Sequence, residues 1–305
     1  MAKLLEGKCA VVTGGGRGQG REIALALARH GVKVVVNDLG GSIDGTGSDR
    51  APADEVVSEI KKEGGDATAN YDSVADFSSA ENIINSCVEN YGRIDILVNC
   101  AGIGGTRPGN FWETKYEDWD RVIVTNLNGT FNTCRHALGH MVKQGGGRIM
   151  NFSSPAWLGM GASAYTASKG AVVSLSKGIA HQMIFDDYKI TCNAIIPIAD
   201  TRMSPRRGGE IWERFYKAGL ITRQIFEESA DPPGPEHIPA VILYLAMDEA
   251  ANINGQVIGA SRGRVALYSW PTEIKGLYKE GVWTVEELIK LMPGTLIQEL
   301  QSARG

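Results

Sequence analysis

The chain has 305 residues, of which 43% are hydrophobic and 22% charged, an ordinary globular composition that allows a sizeable core. The formal net charge of -4 and the absence of a broad basic stripe argue against a nucleic acid partner. No apolar run approaches the ~18–20 residues that cross a bilayer, so we expect no membrane partner. The five cysteines are widely separated, which favours reduced thiols and predicts a cytoplasmic protein.

The first two thirds of the sequence alternate short apolar strands with amphipathic helices. Residues 34–36 and 96–98 are apolar on both faces, as strands buried between two helix layers should be. The alternation predicts an α/β fold, namely a doubly wound parallel sheet of the Rossmann type with right-handed crossovers. The predicted strands cover residues 9–13, 32–37, 66–70, 94–99, 147–152, 190–196 and 256–259.

Two segments depart from this alternation, and a tail follows it. Residues 39–52 form an insertion rich in Gly, Ser and Asp that is too polar to be core. Residues 204–235 contain an amphipathic stretch and end in Asp-Pro-Pro-Gly-Pro, which predicts a helical flap over a site; a surface hairpin of helices is the alternative. We predict one dinucleotide-binding catalytic domain over 1–261, with the flap inside it, and a C-terminal arm over 262–305.

A glycine-rich loop, Thr-Gly-Gly-Gly-Arg-Gly-Gln-Gly, follows the first strand and opens a helix. Gly14 permits a tight turn, Gly18 lets the backbone approach a pyrophosphate, and Gly20 lets the helix pack closely on the sheet. The helix N-terminus presents free N–H groups and partial positive charge to the phosphates. Arg17 and Gln19 belong to the same loop. The loop therefore predicts a dinucleotide site.

An acidic residue, Asp38, ends the second strand. It follows the glycine loop at the spacing of roughly 20 residues where a carboxylate accepts hydrogen bonds from the adenosine ribose hydroxyls. Such a carboxylate also repels a 2′-phosphate. Arg17 favours NADP instead, because a cation in the loop could pair with that phosphate. The acid lies at the hydroxyls themselves, so the sequence favours NAD over NADP.

Tyr165 and Lys169 lie one helical turn apart, on the same face. A free Tyr phenol has a pKa of ~10 and is a poor base at neutral pH. A Lys ammonium beside it, together with the positive nicotinamide of an oxidised cofactor, stabilises the phenolate and lowers that pKa. Ser154, just after a predicted strand, can donate a hydrogen bond to the substrate oxygen. These residues predict proton transfer for an alcohol/carbonyl pair; a surface Tyr and Lys that merely share a helix are the alternative.

The glycine loop, Ser154 and the Tyr165/Lys169 pair belong to a series of motifs along the chain. Over about residues 5–260 this series resembles the short-chain dehydrogenases/reductases. The resemblance implies a Rossmann-type fold, an NAD(H)-dependent alcohol dehydrogenase or ketoreductase, a secondary alcohol/ketone substrate, and a homodimer or homotetramer. The matching motifs are Thr13-Gly14-x-x-x-Gly18-x-Gly20, Asp72, Asn99-Cys100-Ala101-Gly102, Asn126, Ser154, Tyr165-x-x-x-Lys169 and the turn from Pro197 to Thr201.

Carried over residue by residue, the resemblance completes the set of expected site residues. Asn126 would position a water that links Lys169 to solvent, and Thr201 would touch the nicotinamide amide. The expected catalytic residues are Asn126, Ser154, Tyr165 and Lys169. The expected cofactor-binding residues are Gly14, Arg17, Gly18, Gln19, Gly20, Asp38, Asp72, Ser73, Asn99, Ala101, Gly102, Tyr165, Lys169, Pro197 and Thr201.

The sequence also departs from the family pattern near the expected site. Cys100 stands where the family usually has Asn. The segment before Tyr165 is shorter than usual, so the loop 155–164, which normally faces substrate, must be re-formed. Trp157 and Met160 in this loop predict either an apolar pocket wall or core packing.

Within the family, Val-Val-Val-Asn-Asp-Leu-Gly-Gly with its insertion and Asn-Tyr-Asp-Ser-Val at 70–74 look like the dehydrogenase unit of peroxisomal multifunctional enzyme type 2 and its bacterial relatives. This similarity implies a (3R)-hydroxyacyl-CoA substrate; a steroid or aryl alcohol is the alternative. A non-catalytic NAD-binding subunit or regulator, a different class of function, would have little reason to retain Tyr165 with Lys169.

Two further pairs of residues, one of histidines and one of tryptophans, lie at helical spacing. His136 and His140 lie one turn apart, but no Glu lies between them in the zincin pattern and no third ligand is evident, so we expect no metal. Trp112 and Trp119 are separated by two helical turns on an amphipathic segment, which predicts that both lie in the core.

Overall fold

The chain folds around one twisted sheet, and the computed structural model describes residues 3–105, 110–160, 163–203 and 209–296. The strand order within these residues is β3-β2-β1-β4-β5-β6-β7-β8, with β1 to β7 parallel and β8 antiparallel to β7. The strands are β1 Cys9–Thr13, β2 Lys33–Asn37, β3 Ala67–Asn70, β4 Ile96–Asn99, β5 Gly147–Phe152, β6 Ile190–Pro197, β7 Val257–Ser261 and β8 Arg264–Leu267. The predicted Rossmann-type sheet is confirmed, with its switch point between β1 and β4.

Helices cover both faces of the sheet. Helices α1, α2 and α9 contribute to the core on one face, and α3, α5 and α6 to the core on the other. No helix within the described ranges combines the length and the apolar composition needed to cross a membrane. The helices are α1 Gly18–Arg29, α2 Ala51–Lys62, α3 Phe77–Tyr91, α4 Tyr116–Ile123, α5 Gly129–Gln144, α6 Ala164–Phe185, α7 Gly209–Lys217, α8 Arg223–Ala230, α9 Pro239–Ala246 and α10 Val285–Leu291.

Alternation along each strand explains why the strands are apolar on both faces. Successive side chains of a strand point to opposite sides of the sheet. Val12 and Val36 therefore pack in the core beneath α1 and α2, whereas Val11 and Leu97 pack in the core beneath α3 and α5. All four are fully buried, as expected for parallel strands covered on both faces.

Polar side chains form a row across the carboxyl ends of the central strands. The register aligns Thr13 with Asn37 and Asn99, and Asn99 with Asn151. Asn99 Nδ2 donates to Asn151 Oδ1 at 2.9 Å, and Thr133 of α5 donates to Asn99 Oδ1 at 2.8 Å. Buried polar groups need such partners, so these bonds fix where each strand ends and where the next loop begins.

The last strand, β8, was not predicted from the sequence. It begins the segment predicted as a C-terminal arm and pairs with the edge of the sheet at β7. Arg264 of β8 donates to Glu228 of α8 at 2.9 Å, and the two side chains are only 12% and 15% exposed. This ion pair connects α8, which lies in the predicted flap, to the sheet.

Both Trp112 and Trp119 were predicted to lie in the core, and for Trp112 this prediction is wrong. Trp112 is 81% exposed, because it lies in a short 3-10 turn, Phe111–Glu113, and not on α4 itself. The two-turn spacing therefore does not place it on the same helix face as Trp119. Trp119 is partly buried against Ile103 and Val122.

The ion pair between Arg264 and Glu228 is expected to stabilise the fold. Replacing Glu228→Gln leaves a largely buried guanidinium without its counter-charge, so we expect the free energy of unfolding to fall by about 2 kcal/mol. Urea denaturation measures this change. The neighbouring pair of Glu227 with Arg223 is exposed, so Glu227→Gln on the same helix is the matched control and should leave the midpoint unchanged. Equal midpoints for the two variants would show that the Arg264 contact adds nothing.

Candidate active site

The loop between β1 and α1 has a backbone that only glycine fits. Gly14 has φ of +63°, and a Cβ there would lie 2.8 Å from the backbone nitrogen of Ala101. A Cβ on Gly20 would lie 2.1 Å from the Gly14 carbonyl oxygen. The loop is therefore folded tightly against the start of α1 and the exit of β4.

The N-terminus of α1 keeps its backbone donors available. Arg17 is the N-cap residue, but its side chain makes no capping hydrogen bond, and no acidic residue lies in the first turn. The N–H groups at Gly18 and Gln19 lie in this first turn, where no intrahelical partner exists. These residues fit a dinucleotide pyrophosphate, which such a terminus binds through N–H groups and the helix dipole.

The carboxylate of Asp38 is held at the end of β2 by backbone donors. Its Oδ2 accepts from the Gly16 N–H at 2.9 Å, and its Oδ1 accepts from the Gly40 N–H at 2.7 Å. Each oxygen retains a lone pair for a ribose hydroxyl. Gly16 is a further residue of this site that was not predicted, although its place among the loop glycines was a signal. A Cβ there would lie 2.8 Å from Asp38 Oδ2.

Arg17 is bound to the insertion. Its Nη1 donates to the carbonyls of Gly40 and Gly41, both at 3.3 Å, and its Nη2 lies 3.6 Å from Asp49. Farther along, the insertion reaches the exit of β4, where the Gly104 N–H donates to the Ile43 carbonyl at 3.0 Å. The insertion therefore links the glycine loop to the chain after β4.

Asp72 and Ser73, which the family resemblance implies as cofactor-binding residues, follow β3. Asn37 Nδ2 donates to the Asp72 carbonyl at 2.9 Å, and Asp72 Oδ2 accepts from Asn70 Nδ2 at 2.7 Å. The Ser73 hydroxyl accepts from the Ala75 N–H at 3.2 Å. These bonds place Asp72 and Ser73 at the carboxyl end of the sheet, beside the end of β2, which Asp38 follows.

The exit of β4 separates the glycine loop from the catalytic groups. The Ala101 N–H donates to Thr13 Oγ1 at 3.2 Å, which ties the exit to the end of β1. A Cβ on Gly102 would lie 3.2 Å from Asn126 Oδ1 and 3.5 Å from Lys169 Nζ. Asn99 itself belongs to the polar row and is only 3% exposed.

Asn126 lies in a π-helical segment, Val124–Asn128, between α4 and α5. Segments of this kind occur frequently at functional sites. The fully buried Asn126 side chain accepts from the Ile103 N–H at 2.8 Å and donates to Ser168 Oγ at 3.2 Å. It thereby connects the exit of β4 to α6, one residue before Lys169.

Helix α6 brings Tyr165 and Lys169 together beside Ser154. Ser163 caps the helix by accepting from the Thr166 N–H at 3.3 Å. Lys169 Nζ lies 5.7 Å from the Tyr165 ring centroid and donates to the Phe152 carbonyl at 2.8 Å. Ser154, two residues after the end of β5, hydrogen-bonds to the Tyr165 hydroxyl.

Burial shifts both titratable groups of this cluster toward their neutral forms. It raises the pKa of the Tyr165 phenol, and the hydrogen bond from Ser154 lowers that pKa in part. Burial lowers the pKa of Lys169 to about 8, against a smaller opposite effect from Cys100. A bound oxidised nicotinamide would accept a hydride and add the positive charge that favours the phenolate.

The chain after β6 also lies near the glycine loop. Pro197 ends β6, and the Ile198 N–H that follows donates to the Ala260 carbonyl at 2.9 Å. A Cβ on Gly18 would lie 3.6 Å from Thr201 Cγ2. Pro197 and Thr201 are therefore on the same side of the sheet as the predicted cofactor site.

Both apolar side chains named in the loop after Ser154 pack against core clusters, which agrees with the second of the two predicted alternatives. Trp157 packs edge-on against Tyr268, with ring centroids 5.8 Å apart, and so belongs to the core near β8. Met160 packs instead with Ile198 and Ile225, in the apolar cluster formed by α7 and α8. Residues 161–162 of the loop and 204–208 of the predicted flap lie outside the described residues.

The two histidines do not form a metal centre in the described part of the chain, which contains no group of three or more His, Cys, Asp or Glu side chains arranged to hold a metal. The His136 ring lies 3.0 Å from the Phe77 carbonyl oxygen and 4.4 Å from the Phe77 ring. His136 therefore packs against α3 of its own chain.

Comparison with known proteins defines the class. The family description "short chain dehydrogenase" matches residues 8–209, and a short-chain type dehydrogenase/reductase of Mycobacterium tuberculosis is 39% identical over 85% of this chain and 84% of its own. The chain therefore belongs to the short-chain dehydrogenase family. It is an oxidoreductase acting on hydroxyl or keto groups, and the family uses NAD or NADP.

Other relatives differ in name and length. Peroxisomal multifunctional enzyme type 2 of Drosophila melanogaster is 36% identical over 88% of this chain, which spans only 40% of that enzyme. A 3-oxoacyl-acyl-carrier-protein reductase of Staphylococcus aureus is 35% identical over 84% of this chain and 97% of its own.

Solved structures show the same fold. A short chain dehydrogenase from Mycobacterium avium has a TM-score of 0.77 and 33% identity, covering 96% of this chain and 95% of its own. A 7α-hydroxysteroid dehydrogenase, complexed with NADH and 7-oxo glycochenodeoxycholic acid, has a TM-score of 0.69 and 28% identity, covering 86% of this chain and 95% of its own.

The buried amine of Lys169 should give a measurable pH dependence of stability. Between pH 8 and 10.5 the unfolded chain binds a proton at this residue that the folded chain does not bind, so the free energy of unfolding rises with pH. We expect wild type to gain about 3 kcal/mol relative to Lys169→Met across this window. Urea denaturation of the two proteins without cofactor measures the difference.

The exposed Lys61 on α2 provides the control for that measurement. Lys61→Met removes the same charge from a solvated position. A difference between wild type and Lys169→Met that stays constant from pH 8 to 10.5 would contradict the buried, partly neutral amine.

Proposed function

We propose that the protein is an NAD-dependent dehydrogenase that interconverts a secondary alcohol and a ketone. The cluster of Ser154, Tyr165 and the buried Lys169 supports this proposal most directly. It unites an oxygen-binding hydroxyl, a phenol and an amine at the carboxyl end of the sheet, on the side of the glycine loop.

Each side chain then has one task in alcohol oxidation. The Ser154 hydroxyl holds the substrate oxygen, and the Tyr165 phenolate takes the hydroxyl proton as the C–H bond breaks. The oxidised nicotinamide that the site would hold would accept the electron pair of that bond as hydride. The Lys169 ammonium stabilises the phenolate, and Asn126 positions a water through which the proton leaves toward solvent. Ketone reduction runs through the same steps in reverse.

Two observations support NAD as the cofactor. Asp38 presents a fixed carboxylate at the position of the ribose hydroxyls, where a 2′-phosphate would be repelled. Arg17, the cation that could have paired with such a phosphate, is engaged by Asp49 and by carbonyls of the insertion. The bound NADH of the 7α-hydroxysteroid dehydrogenase agrees with this preference.

We propose a 3-hydroxyacyl thioester as the first substrate to test. The similarity to peroxisomal multifunctional enzyme type 2 and to a 3-oxoacyl-acyl-carrier-protein reductase supports it. The similarity to a hydroxysteroid dehydrogenase favours a steroid alcohol as the second substrate to test.

We further propose a cytoplasmic homodimer or homotetramer. All five cysteines are free, as in a reducing compartment. Tyr116 of α4 and Phe131 of α5 are 73% and 47% exposed, which supports burial of these helices against another subunit. Light scattering on the purified protein measures the oligomeric state.

Removing the phenolic hydroxyl tests the catalytic assignment. Tyr165→Phe should lower kcat for alcohol oxidation about 10³-fold, because the proton then has no acceptor in the site. Steady-state assays with hydroxyacyl-CoAs, steroids and aryl alcohols measure the loss. NAD binding, followed by fluorescence titration, should persist and serves as the control. Unchanged turnover in Tyr165→Phe would reject the mechanism, and a wild type that binds NAD but oxidises nothing would favour a regulator.

Removing the carboxylate of Asp38 tests the cofactor preference. Wild type should use NAD at least 100-fold more efficiently than NADP, and Asp38→Asn should reduce that ratio by a factor of about ten, since a charged hydrogen-bond acceptor is lost. The ratio of kcat/KM for the two cofactors measures the preference. Glu55→Gln, on the exposed face of α2, is the charge-matched control. A wild type that prefers NADP would refute the assignment.

A further inference from the structure

A small cavity beside Tyr165 has a polar lining that the proposed reaction does not use. Its volume is about 20 Å³, which accommodates one water molecule or one hydroxyl group. Tyr165 forms part of the wall, and Thr114, Asp118 and Ser163 supply polar side chains around it. Trp119 contributes an apolar side. Tyr165 is therefore shared between this cavity and the cluster to which we assign the reaction.

The Thr114 hydroxyl carries the strongest indication of a ligand. Its Oγ1 is buried and has no hydrogen-bond partner among the residues that the structure describes. A buried hydroxyl without a partner destabilises the folded state, so such groups are rare unless a ligand uses them. Thr114 ends the short turn Phe111–Glu113 immediately before α4, which fixes the side chain at the cavity.

Asp118, in the first turn of α4, supplies an acceptor at the same cavity. Its side chain is only 25% exposed, and its nearest cation among the described residues is Arg121, at 3.7 Å. Arg121 also donates to the Asp44 carbonyl of the insertion at 3.3 Å, which directs part of its guanidinium away from the carboxylate. Asp118 therefore keeps lone pairs for a donor inside the cavity.

We infer that this cavity binds a second hydroxyl group of the substrate, on a carbon close to the reacting one. Thr114 donates to that hydroxyl, and Asp118 accepts its proton in a hydrogen bond. A keto or ether oxygen has no proton for Asp118, an ammonium cannot accept from Thr114, and a carboxylate is repelled by Asp118. The inference rests on the proposed function, because it needs the reacting carbon at Tyr165.

The substrate class that follows is a secondary alcohol with a neighbouring hydroxyl. Its oxidation at one carbon yields a hydroxyketone, with the hydride transferred to NAD and the proton to Tyr165 as in the proposed reaction. Ser163 adds no strong preference, because its hydroxyl is already engaged with Thr166 at the start of α6.

Matched substrate pairs test the inference. We would compare kcat/KM for cyclohexanol with 1,2-cyclohexanediol, for 1-phenylethanol with 1-phenyl-1,2-ethanediol, and for 3-hydroxybutyryl-CoA with 3,4-dihydroxybutyryl-CoA. We expect the member with the additional hydroxyl to be preferred at least tenfold, because one hydrogen bond to a charged group forms only with that member.

Variants of the cavity separate a binding role from a structural one. Thr114→Val and Asp118→Asn should each reduce the preference about tenfold, whereas Thr114→Ser keeps the hydroxyl and should retain it. Asp120→Asn removes a charge from the exposed face of the same helix and should leave both the preference and the turnover unchanged. Thr114→Val should also raise the Tm of the free protein by about 2 °C, because the unpartnered hydroxyl is removed.

The outcomes distinguish this inference from the proposed function. Turnover of any pair without a preference for the hydroxylated member overturns the inference and leaves the proposed function intact. A preference that persists in both Thr114→Val and Asp118→Asn, or a lower Tm for Thr114→Val, also overturns it. No turnover of these pairs, nor of the hydroxyacyl-CoAs, steroids and aryl alcohols named above, with NAD or NADP would overturn the proposed function, and the inference with it.

Discussion

The hydrogen bonds across the carboxyl ends of the parallel strands are the constraint on which the rest of the structure depends. Asn99 and Asn151 join β4 to β5, and Asn151 continues the connection to Ser176 of α6 at 3.0 Å. Each strand of this row is followed within a few residues by a part of the site: the glycine loop, Asp38, the β4 exit or Ser154. Because the side-chain partners are buried, a shift of register would leave several of them unsatisfied at once.

Stability and function oppose each other in the same few residues. Burial of Lys169 disfavours its charge, whereas the mechanism that we propose needs that charge close to a Tyr165 phenolate. Thr114 presents a second instance, a hydroxyl buried without a partner. The register of the strands and the apolar packing on both faces of the sheet offset such costs, which is usual where a site is preorganised.

The fold and the position of the glycine loop before α1 were predictable from local pattern. Strand periodicity located β1 to β7, and the glycine spacing located the start of α1, because both depend on neighbouring residues. Other features were not predictable. The strand β8 is a short edge strand of mixed composition, recognisable only by its pairing with β7. Trp112 has the spacing of a core residue but lies in a turn before the helix begins.

The sequence by itself determined the fold class, since this follows from periodicity, and the family, since its motifs occur in order along the chain. It also supplied the residues to which we assign proton transfer. Only the tertiary structure decided which neighbours each residue has. In the folded protein Arg17 contacts the insertion, and Arg264 pairs with Glu228 to join α8 to β8. A polar cavity forms around Thr114 beside Tyr165. Contacts between residues far apart in the chain depend on how the layers pack, and no local pattern encodes that packing.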